Sequence, residues 1–143
     1  MSAEGGREVE CGVLGGFGDN PPDASVVAEI VVDPEHEFYD FAAKYLPEES
    51  TGLVVPADLP DPVVARIQEL SVRAFEVLSV EGLARVDFFV LPDDRVVINE
   101  INTMPGFTPH SMFPRMWAAS GVPYPELVER LIMLARQRPL GLR

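Results

Sequence analysis

The sequence predicts an α+β domain in which a mainly antiparallel sheet is covered by helices on one face. The order of the predicted elements is the main reason, because two strands come first and are followed by a helix, two more strands and two helices. Consecutive strands that are joined by short turns pair antiparallel. The chain has 143 residues, 47% of them apolar, so it is long enough for one domain, or part of one, with a core of its own.

Two strands are predicted near the start of the chain: one over residues 8–14, where apolar and polar side chains alternate, and one over residues 25–32. The stretch 15–22 between them is rich in glycine and proline and predicts a turn or exposed loop. It lacks the spacing of a phosphate-binding glycine loop, so we expect it to have only a structural role. Residues 37–52 are mixed in character and predict a mobile, exposed loop of the kind that closes over a ligand.

The helices are predicted from apolar residues that recur at helical spacing. The first is expected to begin with Asp61 as its N-cap and Pro62 at the first helical position. Its core-facing residues are expected to be Val63, Ile67, Leu70, Ala74 and Leu78. A short helix around residues 116–118 and a last helix over 125–138 are predicted after the second pair of strands.

A hairpin is predicted from two apolar, β-branched segments, 84–90 and 96–102, which flank the turn residues 92–94. A two-residue loop at 93–94 would set the register of this hairpin. In that register Asp87 lies opposite Glu100, and Arg85 lies opposite Asn102. Residues two apart in a strand share a face, so the four side chains would form one polar cluster.

The chemistry of this cluster allows two interpretations. Two carboxylates at cross-strand distance repel each other unless a cation lies between them. Together with the amide oxygen of Asn102, the carboxylates of Asp87 and Glu100 are hard oxygen ligands that suit Mg²⁺ holding the phosphates of a nucleotide. The alternative is a solvated hairpin face without function. The apolar neighbours favour a central hairpin and therefore the first interpretation.

Two residues in the segment after the hairpin also allow two interpretations each. Ser111 stands at the start of the predicted short helix, where free N–H groups and a hydroxyl can bind a carboxylate or phosphate, although a simple helix cap is the alternative. Gly106 has no side chain, so its backbone N–H can approach a ligand closely. An ordinary turn glycine is the alternative.

Charge and cysteine content exclude several classes of function. The net charge of −12 argues against binding to nucleic acid or to an anionic membrane. No apolar run is long enough to cross a bilayer. The single cysteine, Cys11, and the polar start of the chain predict a cytoplasmic location. We expect Cys11 to be a buried strand residue.

Several stretches resemble one enzyme family. The segments Arg-Val-Asp-Phe-Phe at 85–89, Asn-Glu-Ile-Asn-Thr-Met-Pro-Gly-Phe-Thr at 99–108 and Ser-Met-Phe-Pro at 111–114 resemble the C-terminal signature of D-alanine–D-alanine ligases, which belong to the ATP-grasp superfamily. Residues 38–45 resemble the ω-loop of that family, and residues 8–15 resemble the strand that enters its nucleotide site. The resemblance implies the fold of the ATP-grasp C-terminal subdomain.

The resemblance also implies an activity and its cofactors. The family joins two D-alanines through an acyl phosphate, at the expense of ATP, to make a peptidoglycan precursor for the cell wall that maintains cell shape. Asp87, Glu100 and Asn102 would hold two Mg²⁺ ions, for which Mn²⁺ can substitute. Arg85 and the backbone of Gly106 would stabilise the oxyanion of the tetrahedral intermediate.

The remaining implied roles concern the nucleotide and the second substrate. Lys44 would contact the γ-phosphate, and Tyr45 would close the ω-loop over the substrate. Two residues would bind the nucleoside, Glu8 at the ribose and Phe89 near the adenine. Two more would form the pocket of the second D-alanine: Ser111, which would bind its carboxylate, and Met112. The choice between D-alanine and D-serine as the second substrate stays open from the sequence.

The resemblance covers the C-terminal part of the family's chain. Residues 1–143 are expected to be the C-terminal part of an ATP-grasp ligase domain without the N-terminal and early central domains. The partners would be D-alanine and ATP, and the full-length protein would be a homodimer. Three hypotheses stay open from the sequence: a ligase fragment that needs its missing half, a non-catalytic module that binds Mg²⁺ with a nucleotide or phosphate, and an acidic interaction domain.

Overall fold

A computed structural model describes residues 5–32 and 51–138 of the chain, so the predicted loop residues Lys44 and Tyr45 lie outside the described part. The elements are β1 (Arg7–Leu14), β2 (Asp23–Val32), β3 (Thr51–Val54), α1 (Asp61–Val77), β4 (Leu83–Val90), β5 (Val96–Asn102), α2 (Met112–Ala119) and α3 (Tyr124–Gln137). The strands form one sheet in the order β3-β2-β1-β4-β5, in which all neighbours are antiparallel. This confirms the predicted α+β class. None of the helices in the described residues is long and apolar enough to cross a bilayer.

The main core lies between α1 and one face of the sheet. Val9, Cys11 and Val13 of β1 are fully buried there. Residues of β2, α1 and β4 complete this core, namely Val27, Val63, Ile67, Phe75, Ala84, Val86, Phe88 and Val90. Because side chains alternate along a strand, the intervening residues of β1 point to the opposite face.

A second core lies on that opposite face, at one end of the sheet. It consists of Leu14, Phe113, Trp117, Val122 and Leu127, which come from β1, α2, the segment after α2, and α3. Helices therefore cover both faces, and the expectation of a single covered face was wrong. Helical periodicity identifies the apolar side of each helix, but it does not indicate which face of a sheet that side will cover.

Gly12 brings α2 into close contact with β1. A Cβ atom at this position would lie 2.9 Å from Nε1 of Trp117 and 3.1 Å from Cε2 of Phe113. Both aromatic side chains are at most 1% exposed, so the space beside Gly12 is filled. Glycine at this position therefore sets how closely α2 approaches the sheet.

The start and the inner face of α1 differ in detail from the prediction. The N-cap is Pro60, and its carbonyl accepts hydrogen bonds from the N–H groups of Val63 and Val64. The predicted cap, Asp61, is instead the first helical residue. The buried residues of α1 are Val63, Ile67, Ser71 and Phe75, whereas Leu78 is 59% exposed. Ser71 can be buried because its hydroxyl donates to the carbonyl oxygen of Ile67 over 2.8 Å.

Candidate active site

The predicted register of the β4–β5 hairpin is confirmed at its polar end. Asp87 pairs with Glu100, and Arg85 pairs with Asn102. The turn differs from the prediction, because Leu91 donates its N–H to the carbonyl oxygen of Arg95 and the loop therefore has three residues, 92–94. Asp94 closes this loop in the left-handed region, with φ of 61°, which aspartate tolerates better than most residues.

A β-bulge at Asn99 restores the register that the longer loop would shift. Phe88 pairs with Ile98, but Asp87, which precedes Phe88 in β4, pairs with Glu100. Asn99 is therefore the extra residue. As a result Ile101 packs against the main core, while Glu100 faces the same side of the sheet as Asp87. The bulge is therefore what brings the polar residues of β5 to the face that carries Asp87.

A further carboxylate, which the sequence analysis did not select, joins this cluster from the middle strand. Glu10 of β1 pairs with Asp87, so three carboxylates form one row across the sheet: Glu10, Asp87 and Glu100. Glu10 and Asp87 are each only 4% exposed, whereas Glu100 is exposed. The alternation of β1 placed Glu10 on the same face as Glu8. The missing information was the pairing of β1 with β4, which are distant in the sequence.

The guanidinium of Arg85 lies among these carboxylates. Its Nε donates to Oδ1 of Asp87 and its Nη2 donates to Oδ2, each over 2.7 Å. The same Nε lies 3.4 Å from Oε1 of Glu10. Burial by itself lowers the pKa of this guanidinium, but the hydrogen bonds to Asp87 and the charges of Glu10, Asp87 and Glu100 outweigh burial and raise the pKa above its ordinary value. Arg85 therefore remains charged and offsets part of the negative charge of the row.

The oxygen atoms of the cluster fit a hard cation. Asp87 and Glu100 offer carboxylates, and Asn102 offers an amide oxygen. Oδ1 of Asn102 accepts a hydrogen bond from the N–H of Met104 over 2.9 Å, which orients the amide and leaves a second lone pair for an ion. Within residues 5–32 and 51–138, no group of three or more His, Cys, Asp or Glu side chains is arranged to hold an ion. A cation here would therefore also need oxygens from an anionic ligand such as a phosphate.

The segment between β5 and α2 brings Gly106 beside Ser111. A Cβ atom at Gly106 would lie 3.0 Å from Oγ of Ser111. Ser111 is the N-cap of α2, and its hydroxyl accepts from the N–H of Thr108 over 3.0 Å instead of capping the helix N–H groups. Tyr124 of α3 holds the segment in place, because its hydroxyl donates to the carbonyl oxygen of Phe107 over 2.8 Å. Met112, the first residue of α2, is half-buried.

Glu8 and Phe89 lie together in the next row of the same face. They pair with each other across β1 and β4, and Glu8 also pairs with Ile30 of β2. Both side chains are half-buried. This row therefore sets one carboxylate beside an aromatic ring and an aliphatic side chain, next to the charged row.

Comparison with known proteins gives the same family as the sequence motifs. The sequence model of a family described as D-ala D-ala ligase C-terminus matches residues 2–133. The chain is 58% identical over 139 residues to a D-alanine–D-alanine ligase from Arthrobacter sp. strain FB24; this match covers 96% of the chain and 36% of that relative. The chain thus spans about a third of the length of the curated relatives that it matches.

Two solved structures are similar to this fold. The D-alanine–D-alanine ligase from Coxiella burnetii is similar with a TM-score of 0.74 and 41% identity, over 93% of this chain and 32% of that one. The VanG D-Ala:D-Ser ligase from Enterococcus faecalis is similar with a TM-score of 0.74 and 36% identity, over 90% of this chain and 36% of that one. With the five-stranded antiparallel sheet and three helices of its described residues, the chain belongs to the D-alanine–D-alanine ligase family, in the C-terminal domain of the ATP-grasp fold.

Proposed function

We propose that this chain supplies the metal-binding and oxyanion-stabilising part of a ligase that joins two D-alanines, with ATP and Mg²⁺, through an acyl phosphate. The product would be a precursor of peptidoglycan, made in the cytoplasm. The observation that carries the proposal is the group of Arg85, Asp87, Glu100 and Asn102, paired across two strands in a chain of this family. Because the chain spans about a third of its relatives, residues 1–143 would be the C-terminal part of an ATP-grasp ligase domain, in a protein that forms homodimers.

The proposed cation site uses the hard oxygen donors of the charged row. Asp87, Glu100 and Asn102 would hold two Mg²⁺ ions, or Mn²⁺, which neutralise the charge on the ATP phosphates during transfer of the γ-phosphoryl group. The burial of Asp87 supports this role, since a buried carboxylate is a stronger ligand when water does not compete for it. The exposure of Glu100 would let a ligand from solvent reach a cation bound there.

Arg85 and Gly106 would act on the second half of the reaction. The carboxylate of the first D-alanine would first accept the phosphoryl group. The amine of the second D-alanine would then attack the carboxyl carbon of this acyl phosphate, and phosphate would leave. Arg85 and the N–H of Gly106 would donate to the oxyanion that forms. A guanidinium has five N–H donors, and Asp87 uses two of them, so Arg85 can still donate to a ligand. Donors fixed in advance lower the barrier because they need not reorient.

The second substrate would bind at the start of α2. The hydroxyl of Ser111 would bind its carboxylate, assisted by the N–H groups of the helix N-terminus, and Met112 would line the pocket. The contact between Gly106 and Ser111 supports this role, because it brings the oxyanion donor beside the carboxylate site. The family includes a D-Ala:D-Ser ligase that is 36% identical to this chain, so the side chain that the pocket prefers is an open specificity question.

The nucleoside would bind beside the charged row. Glu8 would accept hydrogen bonds from the ribose hydroxyls, and Phe89 would pack near the adenine. Their pairing across β1 and β4 supports both roles, since the ribose and the base adjoin each other. Lys44 at the γ-phosphate and Tyr45 over the substrate complete the proposed site from outside the described residues.

The first experiment measures binding of Mg²⁺–ATP to the chain itself by calorimetry. Glu100→Gln should weaken binding at least tenfold and leave the fold unchanged, because Glu100 is exposed. Asp93→Asn is the matched control, since this exposed carboxylate lies at the other end of the same hairpin. Equal affinity of the two variants would remove the proposed metal role of Glu100.

A second experiment separates a ligase from a non-catalytic module that binds Mg²⁺ and nucleotide. The 139 residues matched in the Arthrobacter ligase are replaced by those of this chain, and release of phosphate is followed with and without D-alanine. Release that depends on D-alanine, and that is lost in Glu100→Gln, is the expected result. Nucleotide binding without such release would favour the binding module.

A further inference from the structure

Glu10 has no part in the proposed mechanism, yet it belongs to the same row as Asp87 and Glu100. Its side chain is 4% exposed and lies on β1, the middle strand of the sheet. A buried carboxylate is costly unless it is paired with a cation. Oε1 of Glu10 lies 3.4 Å from Nε of Arg85, so the buried charge is directed at the residue proposed to stabilise the oxyanion.

Asp87 would have two roles in the proposed function: it accepts hydrogen bonds from Arg85 and it binds the cation. Both of its oxygens accept hydrogen bonds from Arg85 over 2.7 Å, and the proposed function also makes Asp87 a metal ligand. Oxygen atoms that are shared with a divalent cation attract a guanidinium less strongly, because their negative charge is partly neutralised. Asp87 alone would therefore hold Arg85 least firmly when a divalent cation is bound, which is the state in which Arg85 would stabilise the oxyanion.

The neighbouring positions on β1 offer Arg85 little other support. Gly12 pairs directly with Arg85 but has no side chain, and the space beside it is filled by Trp117 and Phe113. Glu10, one row away on the same face, reaches the guanidinium from the β1 side.

We propose that Glu10 is a positioning residue, a buried anion that holds Nε of Arg85 in place while the carboxylate of Asp87 binds Mg²⁺. The inference rests on the proposed function, because it assigns Asp87 to the metal and Arg85 to the oxyanion. Glu10 touches neither the substrate nor the metal in this scheme. Its effect is to keep the guanidinium fork at a fixed angle, so that the remaining N–H donors stay available to the ligand.

The test follows the Nε–H signal of Arg85 by NMR in the full chain, with the signal identified by its loss in Arg85→Lys. In the wild-type chain this proton should stay protected from exchange with water when Mg²⁺ and ATP are saturating. In Glu10→Gln its exchange should accelerate at least tenfold in the presence of Mg²⁺ and ATP. Glu29→Gln is the matched control, because Glu29 is a poorly exposed carboxylate that accepts from Nε of Arg7 over 2.6 Å on the other face. It should expose the Nε–H of Arg7 and leave that of Arg85 unchanged.

The outcomes separate this inference from the proposed function. Protection of Arg85 in Glu10→Gln that equals the wild-type value, with Mg²⁺ and ATP bound, overturns the inference alone. Where the chain alone does not bind Mg²⁺ and ATP, the same signal is followed in the hybrid with the Arthrobacter ligase, and failure of that wild-type hybrid to bind overturns the proposed function and the inference with it. If Glu10→Gln does not fold, Asp87→Asn is used instead. The Nε–H of Arg85 should stay protected from exchange in this variant, because Glu10 still holds it. Loss of that protection refutes the proposal.

Discussion

Replacement of Gly12 by alanine tests the contact that fixes α2 against the sheet. The added Cβ would lie 2.9 Å from Nε1 of Trp117, and 3.1 and 3.2 Å from two ring atoms of Phe113. Ordinary contacts between heavy atoms are about 3.5–4.0 Å, so both rings must move by roughly half an ångström. Because each ring is at most 1% exposed, that movement displaces α2 as a whole.

The expected cost of Gly12→Ala is that of overpacking a core, about 1–3 kcal/mol. Gly15→Ala is the matched control from the end of the same strand region, since its Cβ would meet nothing closer than 3.6 Å. It should be neutral, or stabilise the fold by about 0.4–1 kcal/mol because alanine restricts the unfolded chain. Urea unfolding followed by tryptophan fluorescence is a direct assay, because Trp117 is the single tryptophan of the sequence.

A double-mutant cycle identifies the source of the strain. Trp117→Phe removes the indole nitrogen, so Gly12→Ala should cost less free energy of unfolding in that background than in the wild type. Circular dichroism replaces fluorescence for these variants. Equal stabilities of Gly12→Ala and Gly15→Ala, with unchanged Trp117 emission, would refute the contact as described.

Two further predictions concern a buried thiol and a tyrosine hydroxyl. Burial raises the pKa of Cys11 from its ordinary 9.0 to about 11, so the folded state favours the neutral thiol. The stability that the neutral thiol contributes is complete below about pH 9 and is lost as the pH rises towards 11. The free energy of unfolding of the wild type should therefore fall relative to that of Cys11→Ala by up to about 1.4 kcal/mol per pH unit in that range. If urea unfolding gives the same pH dependence of this free energy for both proteins, the prediction is contradicted. Tyr124→Phe removes the hydrogen bond to the carbonyl of Phe107 but keeps the ring contact at 5.6 Å, so it should cost about 1 kcal/mol and speed amide exchange at Gly106; exchange at the wild-type rate would show that the hydroxyl does not hold the segment.

The β4–β5 hairpin shows which structural features local sequence patterns predict and which they do not. Its polar register was predicted correctly, with a loop one residue too short and without the bulge at Asn99; these two differences compensate each other. Turn chemistry indicates where a hairpin reverses but leaves the loop length open between two and three residues. The bulge has no signature of its own in a strand as apolar as Val96–Asn102.

Non-local strand pairing explains why Glu10 could not be predicted as part of the site from the sequence. Glu10 becomes part of the cluster only because β1 lies between β2 and β4, which brings together strands that are distant in the sequence. The alternation within β1 predicts which residues share a face, but it does not indicate which strand lies alongside. In α1, helical spacing identified Val63 and Ile67, whereas packing against the sheet then buried Ser71 and Phe75 and left Leu78 exposed.

The middle position of β1 limits which substitutions the chain can accept. Val9, Cys11 and Val13 are sealed in the main core, while Glu10 and Gly12, which alternate with them, meet the charged row and α2. Six of the eight residues of β1 are buried, and they lie on both faces of the sheet, so little of this strand meets solvent. The fold and, in the proposed function, the charged row therefore place requirements on adjoining residues of one eight-residue strand, so few of its positions can change without effect.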